Sequence, residues 1–360
     1  MSQPMQAAHR MMRNAVARHI FPGAVLAVSM DRHLIFERAY GVADLFSDRP
    51  MRRDTCFDLA SLTKPLATAV AVMALVSQGR LDLDQPCGDF CTLFMGSEKA
   101  RITIRQLLGH SSGLPPWRPF FMQLRRLAFG ERRAALQLLV RRTPLLAPPA
   151  KVTEYSDLGY MLLQWVVESI TGTDLAAAVH TAVYAPLGIE DLFFTDVRVP
   201  VLRPGRFAAT QFCPWRQKLM VGHVDDDNAY ISGGIAGHAG LFGTAAGVIR
   251  LLRALLAAEH DQSQQAVFDT RLVRQFFTCR AKERWALGFD TPAQRGSSAG
   301  RCFPPDSVGH LGFTGTSFWV HRPKRVAVVL LTNRVHPWRF NTGIKAFRPA
   351  LHDAVMESLT

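Results

Sequence analysis

The sequence predicts an α+β fold, an α/β sandwich in which one antiparallel sheet of about five or more strands is flanked by helices. Apolar β-rich runs around turn-forming residues predict a hairpin near each end of the chain, 24–30 with 34–40 and 318–321 with 326–331. Between these hairpins, apolar residues recur at helical spacing. The sheet is therefore expected to come from both termini, with a mostly helical region inserted.

Helical periodicity is clearest in six segments. They lie at about 5–20, 60–78, 103–109, 157–171, 246–258 and 343–359. We expect the chain to fold as one unit, residues 1–360. Its sheet part is expected at about 1–60 and 285–360, and its mostly helical part at about 61–284.

The charge balance is strongly basic, with 42 Lys and Arg against 29 Asp and Glu and a formal net charge of +13. Nucleic-acid-binding proteins often carry such a charge, but they cluster it on one face. Here the basic residues are scattered in pairs such as Arg125-Arg126 and Arg141-Arg142. A generally basic surface explains the charge, and no nucleic-acid partner is expected.

Location and cofactors are inferred from features that the sequence lacks. No run approaches the ~20 apolar residues of a transmembrane segment, and the first residues lack the basic-then-apolar order of a secretory signal. The six cysteines form no CxxC pair, so free buried thiols are expected rather than zinc ligands. We expect a cytoplasmic protein, with the periplasm as the alternative, and neither a metal nor another cofactor.

The sharpest local motif is Ser61-x-x-Lys64, which opens a predicted helix. Side chains three residues apart lie on one face of a helix, one turn apart. A serine hydroxyl needs a base within hydrogen-bond reach to become a nucleophile, and a lysine supplies one if its pKa is depressed. The alternative is a helix-capping serine beside an exposed lysine.

A second serine motif, Gly109-x-Ser111-x-Gly113, matches the nucleophile elbow of other hydrolases. That elbow lies between a strand and a helix. Residues 102–108 instead predict a capped helical turn, and Pro115-Pro116 disfavours a helix directly afterwards. Ser111 is therefore rejected as a nucleophile.

Two further segments supply candidate partners for Ser61. Tyr155 and Asp157 precede a predicted helix, and a tyrosine near cations can lose its proton and act as a base. The alternative is that Tyr155 packs and Asp157 caps the helix. Residues 309–317 are glycine-rich, which lets a backbone approach a ligand closely. A backbone N–H there, with that of Ser61, is a candidate oxyanion hole.

Together these motifs resemble those of the β-lactamase-related serine hydrolases, which include class C β-lactamases, D-Ala-D-Ala carboxypeptidases, D-aminopeptidases and esterases. Ser61-x-x-Lys64, Tyr155-x-Asp157 and His310-x-Gly312 follow the order and approximate spacing of that family's three motifs. Residues 102–115 match a segment between the first two. The resemblance extends over about residues 10–355 and implies a β-lactamase/transpeptidase-like fold.

The resemblance also implies residue roles. Ser61 is expected to attack the carbonyl of an ester, a D-amino-acid peptide or a β-lactam-like amide and to become acylated, while Lys64 and Tyr155 share the proton transfers. The backbone N–H groups of Ser61 and Phe313 are expected to hold the oxyanion. The residues expected to contact this small-molecule or peptide substrate are Asp157, His310, Gly312 and Thr314.

Two positions depart from the family pattern. Asp157 stands where most relatives carry asparagine, and a carboxylate only accepts hydrogen bonds. It is expected either to pair with Lys64, which keeps that lysine protonated and favours Tyr155 as the base, or to receive a substrate ammonium group. His310 stands where β-lactamases carry lysine, and a neutral imidazole does not attract a carboxylate. Ester or D-amino-acid peptide hydrolysis is therefore expected over efficient β-lactam hydrolysis, with Arg334 as a replacement anchor.

Between the second and third motifs, residues 224–242 resemble a subgroup that contains penicillin-binding-protein-like members. The acidic run Asp225-Asp226-Asp227 predicts a loop with turn and capping roles, and metal binding is the alternative. His238 is expected to be structural, with a place in the pocket wall as the alternative. The alternative function for the whole chain is a weakly active or inactive module that binds penicillin or peptidoglycan fragments, and its oligomeric state is left open.

Overall fold

The computed structural model describes residues 5–260, 267–279 and 285–359. It has the predicted α+β architecture, a six-stranded antiparallel main sheet with helices on both faces. The predicted boundary near residue 284 falls outside the described residues.

The strands in the described part of the chain come mostly from its two ends. They are β1 (Gly23–Met30), β2 (His33–Asp44), β3 (Arg49–Pro50), β4 (Phe57–Asp58), β5 (Leu192–Phe194), β6 (Phe212–Cys213), β7 (Lys218–Leu219), β8 (Leu241–Gly243), β9 (Val308–Leu311), β10 (Ser317–His321) and β11 (Val326–Thr332). The main sheet has the order β3-β2-β1-β11-β10-β9. Both predicted hairpins are present, and they join in the centre of the sheet, where Leu26 pairs with Leu330.

Eleven α-helices lie in the described residues. They are α1 (Gln6–Ala17), α2 (Val70–Ser77), α3 (Ile104–Leu108), α4 (Phe121–Leu124), α5 (Phe129–Arg142), α6 (Asp157–Thr171), α7 (Leu175–Val179), α8 (Asp227–Ile231), α9 (Ala245–Glu259), α10 (Thr270–Phe277) and α11 (Ile344–Glu357). The six segments with helical periodicity correspond to α1, α2, α3, α6, α9 and α11. Two smaller sheets in the described residues have the strand orders β4-β8-β5 and β6-β7.

The main sheet is buried on both faces because the side chains of β1 alternate between two apolar cores. Ala24, Leu26 and Val28 face one core, which includes residues of α1 and α11. Val25 and Ala27 face the other core, which includes residues of α2 and α9. The resulting three layers fix the sheet against the helical segment that carries the serine motif.

The predicted helix at 60–78 is not one regular helix. It begins as a 3₁₀ turn at Ala60–Leu62, continues as a π-helical segment at Lys64–Ala69 and becomes α-helical only in α2. Pro65 has no N–H to bond back to the carbonyl of Ser61, so the first turn and the following turns cannot merge into one α-helix. By length and composition Ala60–Ser77 is apolar enough to cross a membrane, but 83% of it is buried inside the protein, as in a core helix.

All six cysteines lie in the described residues, and none forms a disulfide. Cys56, Cys87 and Cys213 are buried, whereas Cys91, Cys279 and Cys302 are half-buried, so the prediction of buried thiols holds for three of them. Burial raises the pKa of the Cys56 thiol to about 11 and that of Cys87 to about 12. Neither is a reactive thiolate near neutral pH.

Gly309, on β9, is packed too tightly for a side chain. A Cβ there would lie 2.4 Å from Cδ2 of Trp319 and 2.5 Å from the carbonyl oxygen of Phe318. Gly309→Ala is expected to lower the free energy of unfolding by about 1–3 kcal/mol, the usual cost of overpacking, as measured by urea unfolding. The control is Gly130→Ala on α5, where an added Cβ meets nothing within 4 Å. It should stabilise by up to about 1 kcal/mol, and equal effects of the two variants would contradict the tight packing of β9.

Candidate active site

Ser61 and Lys64 lie on successive turns of the segment that starts at Ala60. Nζ of Lys64 lies 3.1 Å from Oγ of Ser61. The Lys64 side chain is fully buried, and its Nζ also donates to the carbonyl oxygen of His238 at 3.0 Å. The irregular helix thus brings the serine and the lysine as close together as the motif predicted.

The carboxylate of Asp157, the first residue of α6, lies beside Lys64, with 2.7 Å between Oδ1 and Nζ. Burial lowers the pKa of Lys64, but Asp157 and then Tyr155 raise it, and the net shift is upward. Lys64 is therefore an ammonium ion in the resting site. The alternative in which Asp157 caps the helix is wrong, because the hydroxyl of Ser156 accepts the N–H of Gly159 at 3.2 Å and fills that role.

Tyr155 completes the group around Lys64. Its hydroxyl interacts with the side chains of Lys64 and Ser61, and Nζ of Lys64 lies 4.8 Å from its ring centroid. Burial raises the pKa of Tyr155, Lys64 lowers it and Asp157 raises it again, with a net upward shift. The phenol is therefore protonated near neutral pH. A deprotonated state of the coupled Lys64–Tyr155 pair becomes populated only at higher pH.

Three rings pack around Tyr155 and hold its orientation. The ring centroids of His110, Trp285 and His310 lie 4.6, 5.2 and 6.0 Å from that of Tyr155. His110 belongs to the segment that imitates a nucleophile elbow, and Ser111 follows helix α3 rather than a strand. That segment supports Tyr155 instead of supplying a nucleophile.

His310, on β9, is buried and neutral. Burial lowers its pKa to about 3, and the charge of Lys64 contributes in the same direction. Nδ1 lies 2.9 Å from the carbonyl oxygen of Leu311, which can only accept, so Nδ1 carries the proton. Nε2 is left as an acceptor without a partner in the described residues. His310 therefore cannot attract a substrate carboxylate by charge.

Gly312, Phe313 and Thr314 form the turn after β9. A Cβ on Gly312 would lie 2.0 Å from Oγ1 of Thr316 and 2.7 Å from the carbonyl oxygen of Leu59. The glycine thus serves close packing of this turn against the Ser61 segment, whereas the sequence predicted room for a ligand. The packing holds Phe313, the predicted second oxyanion donor, next to the nucleophile segment.

One cavity of about 600 Å³ connects these groups. The candidate site residues that line it are Ser61, Tyr155, Asp157, His310, Gly312, Phe313 and Thr314, with Lys64 buried behind them. Sequence reasoning missed other parts of its wall, among them Trp117, Trp285 and Arg348. These residues belong to no motif and come from distant parts of the chain, so no local signal pointed to them.

The acidic run forms a structural loop in the cavity wall. Asp226 caps α8 by accepting the N–H of Ala229 at 2.8 Å, which confirms the predicted capping role. Its Oδ1 also lies 3.0 Å from Nε2 of His238. His238 has both predicted roles, since it lines the cavity and its carbonyl receives Lys64.

Arg334, the predicted carboxylate anchor, lines the cavity but is largely bound to the backbone. Its guanidinium donates to the carbonyl oxygens of Phe313 at 3.0 Å, Arg339 at 3.0 Å and Asn341 at 2.7 Å. These bonds tie the turn after β9 to the chain that precedes α11. Arg334 therefore has little hydrogen-bonding capacity left for a substrate.

Comparison with known proteins agrees with this geometry. A model of the Beta-lactamase family matches residues 8–348. A protein of Escherichia coli O157:H7 whose name includes D-alanyl-D-alanine carboxypeptidase is 30% identical over 346 residues, which cover 88% of this chain and 79% of that protein.

Two solved structures show the same fold. EstCE1, described as a hydrolase with promiscuous acyltransferase activity, has a TM-score of 0.77 at 21% identity and 98% coverage of both chains. The octameric penicillin-binding protein homologue of Pyrococcus abyssi has a TM-score of 0.72 at 19% identity, covering 100% of this chain and 77% of its own. With its family model matched over nearly the whole length, the chain belongs to the Beta-lactamase family.

Proposed function

We propose that the protein is a serine hydrolase that acts through an acyl-enzyme on D-amino-acid peptides or esters. The observation that carries the proposal is the convergence of Ser61, Lys64 and Tyr155 at one cavity. Nucleophilic catalysis by serine requires a base within hydrogen-bond reach, and Tyr155 meets that requirement. The name of the Escherichia coli relative supports a peptide substrate.

In the proposed reaction, the deprotonated Tyr155 takes the proton of Ser61 while Oγ attacks the substrate carbonyl carbon. The Lys64 ammonium group, held by Asp157, stabilises the phenolate before the transfer. The N–H groups of Ser61 and Phe313 donate to the oxyanion of the tetrahedral intermediate. Its collapse releases the alcohol or amine, which receives the proton from Tyr155. Water then hydrolyses the acyl-enzyme with Tyr155 again acting as the base.

Arg348 supports a substrate that carries a carboxylate. Its guanidinium is buried in the cavity wall, where it donates to the carbonyl oxygen of Thr316 at 3.3 Å. Its Nε has no partner in the described part of the chain. Burial, and then Arg334, lower its pKa to about 10, so the group stays charged at neutral pH. A buried cation is costly until it is paired, and the terminal carboxylate of a D-amino-acid peptide would pair with it.

Two peptides that differ only at the C-terminus test this substrate class. The kcat/KM for the peptide that ends in D-Ala-D-Ala with a free carboxylate should be about tenfold or more higher than that for its C-terminal amide. The reason is that a hydrogen bond to a charged group contributes about 1.5–3 kcal/mol. Arg348→Gln should remove the preference, and Ser61→Ala should abolish turnover of both.

Equal rates for the acid and the amide would contradict the carboxylate-binding role of Arg348. An enzyme that turns over neither peptide nor a p-nitrophenyl ester would contradict the hydrolase function. It would favour the alternative of a weakly active or inactive binding module.

The charge of Asp157 is expected to set the pH range of activity. Because Asp157 raises the pKa of both Lys64 and Tyr155, Asp157→Asn should lower both pKa values. The rising limb of kcat/KM against pH should move down by about one unit or more, and ester hydrolysis at pH 7 should increase. Asp227→Asn is the control, because that carboxylate lies 2.6 Å from Arg216 rather than beside Lys64. If the rising limb of the pH profile stays in place, or moves to higher pH, Asp157 does not set the pKa of the proposed base.

A further inference from the structure

Asp58 lies next to the Ser61 turn and has no part in the chemistry proposed above. It ends β4 and is 2% exposed. Its carboxylate accepts two backbone N–H groups, from Ala60 at 2.8 Å on Oδ1 and from Asp225 at 2.6 Å on Oδ2. Its carbonyl oxygen accepts the hydroxyl of Thr314 at 2.8 Å. One residue thus joins the nucleophile turn, the acidic loop and the turn after β9.

The first of these contacts falls on a strained residue. Ala60 has a φ of +49°, a left-handed conformation that residues with a Cβ rarely adopt. Because Ala60 immediately precedes Ser61, its conformation directs the N–H and the side chain of the nucleophile. The Asp58 carboxylate holds the Ala60 N–H in this conformation.

The contact with Thr314 acts on the other side of the proposed oxyanion hole. Thr314 follows Phe313, whose N–H is the second proposed donor. A parallel bond runs from Oγ1 of Thr316 to the carbonyl oxygen of Leu59 at 3.0 Å. Two consecutive carbonyls, those of Asp58 and Leu59, therefore set where the second donor stands relative to the first.

The fold keeps this carboxylate in spite of an electrostatic cost. No cation in the described ranges forms an ion pair with Asp58, and the charged groups that act on it are Asp225 and Asp226. Burial, and then Asp225, raise its pKa from 3.8 to about 7. The stability that this group contributes is therefore fully present below pH 3.8 and is lost as the pH rises through about 7. A neutral residue would avoid this loss.

We propose that Asp58 is a positioning residue that holds the N–H groups of Ser61 and Phe313 at the separation the oxyanion requires. This role rests on the serine hydrolase function proposed above. Asp58 touches neither the substrate nor the reacting atoms, and it acts through Ala60 and Thr314. Oxyanion stabilisation is stronger in the transition state than in the ground state, so a loss of position lowers kcat and not substrate binding.

Asp58→Asn tests this role, because it keeps the size of the side chain but leaves one oxygen to accept two N–H groups. With a p-nitrophenyl ester, kcat should fall about tenfold or more while KM stays within about threefold. The unfolding temperature of the variant, measured relative to that of the wild type, should be higher at pH 8 than at pH 5. The reason is that only the wild type carries the buried charge at the higher pH. Thr314→Val removes the hydrogen bond from the Thr314 hydroxyl to the carbonyl oxygen of Asp58 and should also lower kcat. It provides a second test if Asp58→Asn does not fold.

The control is Asp353→Asn. Oδ1 of Asp353 accepts two backbone N–H groups, from Arg301 at 2.6 Å and Cys302 at 3.0 Å, and Oδ2 lies 3.4 Å from Nε of Arg301, but this carboxylate lies outside the cavity. This variant should lose stability without losing kcat. The positioning role is overturned, and the hydrolase function stands, if Ser61→Ala abolishes turnover while Asp58→Asn keeps its kcat. The same holds if Asp58→Asn lowers kcat/KM only by raising KM. A wild-type protein without turnover overturns both.

Discussion

A lysine ammonium group buried beside Ser61, the proposed nucleophile, is the constraint around which this site is built. Such an ion is costly to bury unless a carboxylate balances its charge and acceptors receive its protons. Asp157 provides the charge at 2.7 Å, and the carbonyl of His238 accepts a hydrogen bond at 3.0 Å. These groups come from α6 and from the chain before β8. The helical part and the sheet β4-β8-β5 must therefore both be folded before the charged Lys64 is held beside Ser61.

The same ion pair explains why the two departures from the family pattern occur together. With Asp157 beside it, Lys64 remains charged, and its charge helps to keep His310 neutral. A lysine at position 310 would place a second buried cation in the same site, which costs more than a neutral imidazole. Among the positively charged residues that line the cavity, Arg348 is the one proposed to bind a substrate carboxylate.

The parts of the structure that were predictable from sequence are those with local causes. Apolar β-rich runs around turn residues predicted the two hairpins, and helical periodicity predicted α6. The three-residue spacing of Ser61 and Lys64 predicted that their side chains lie together. The π-helical turns after Ser61 were not predicted, because Pro65 indicates only that a regular α-helix is interrupted and not which helical geometry replaces it. Contacts between remote segments leave no local pattern either. Asp58 and Arg348 each gain their surroundings from chain segments far away in the sequence.

The charge on Lys64 can be measured directly. In protein labelled with ¹⁵N-lysine, an NMR spectrum selective for side-chain ammonium groups shows whether Nζ carries three protons, and Lys64→Arg assigns the signal. A Lys64 paired with Asp157 predicts an ammonium signal that persists at pH 8 and exchanges slowly with water because the side chain is buried. A neutral amine at that pH would contradict the proposed proton route and would make Lys64, not Tyr155, the base.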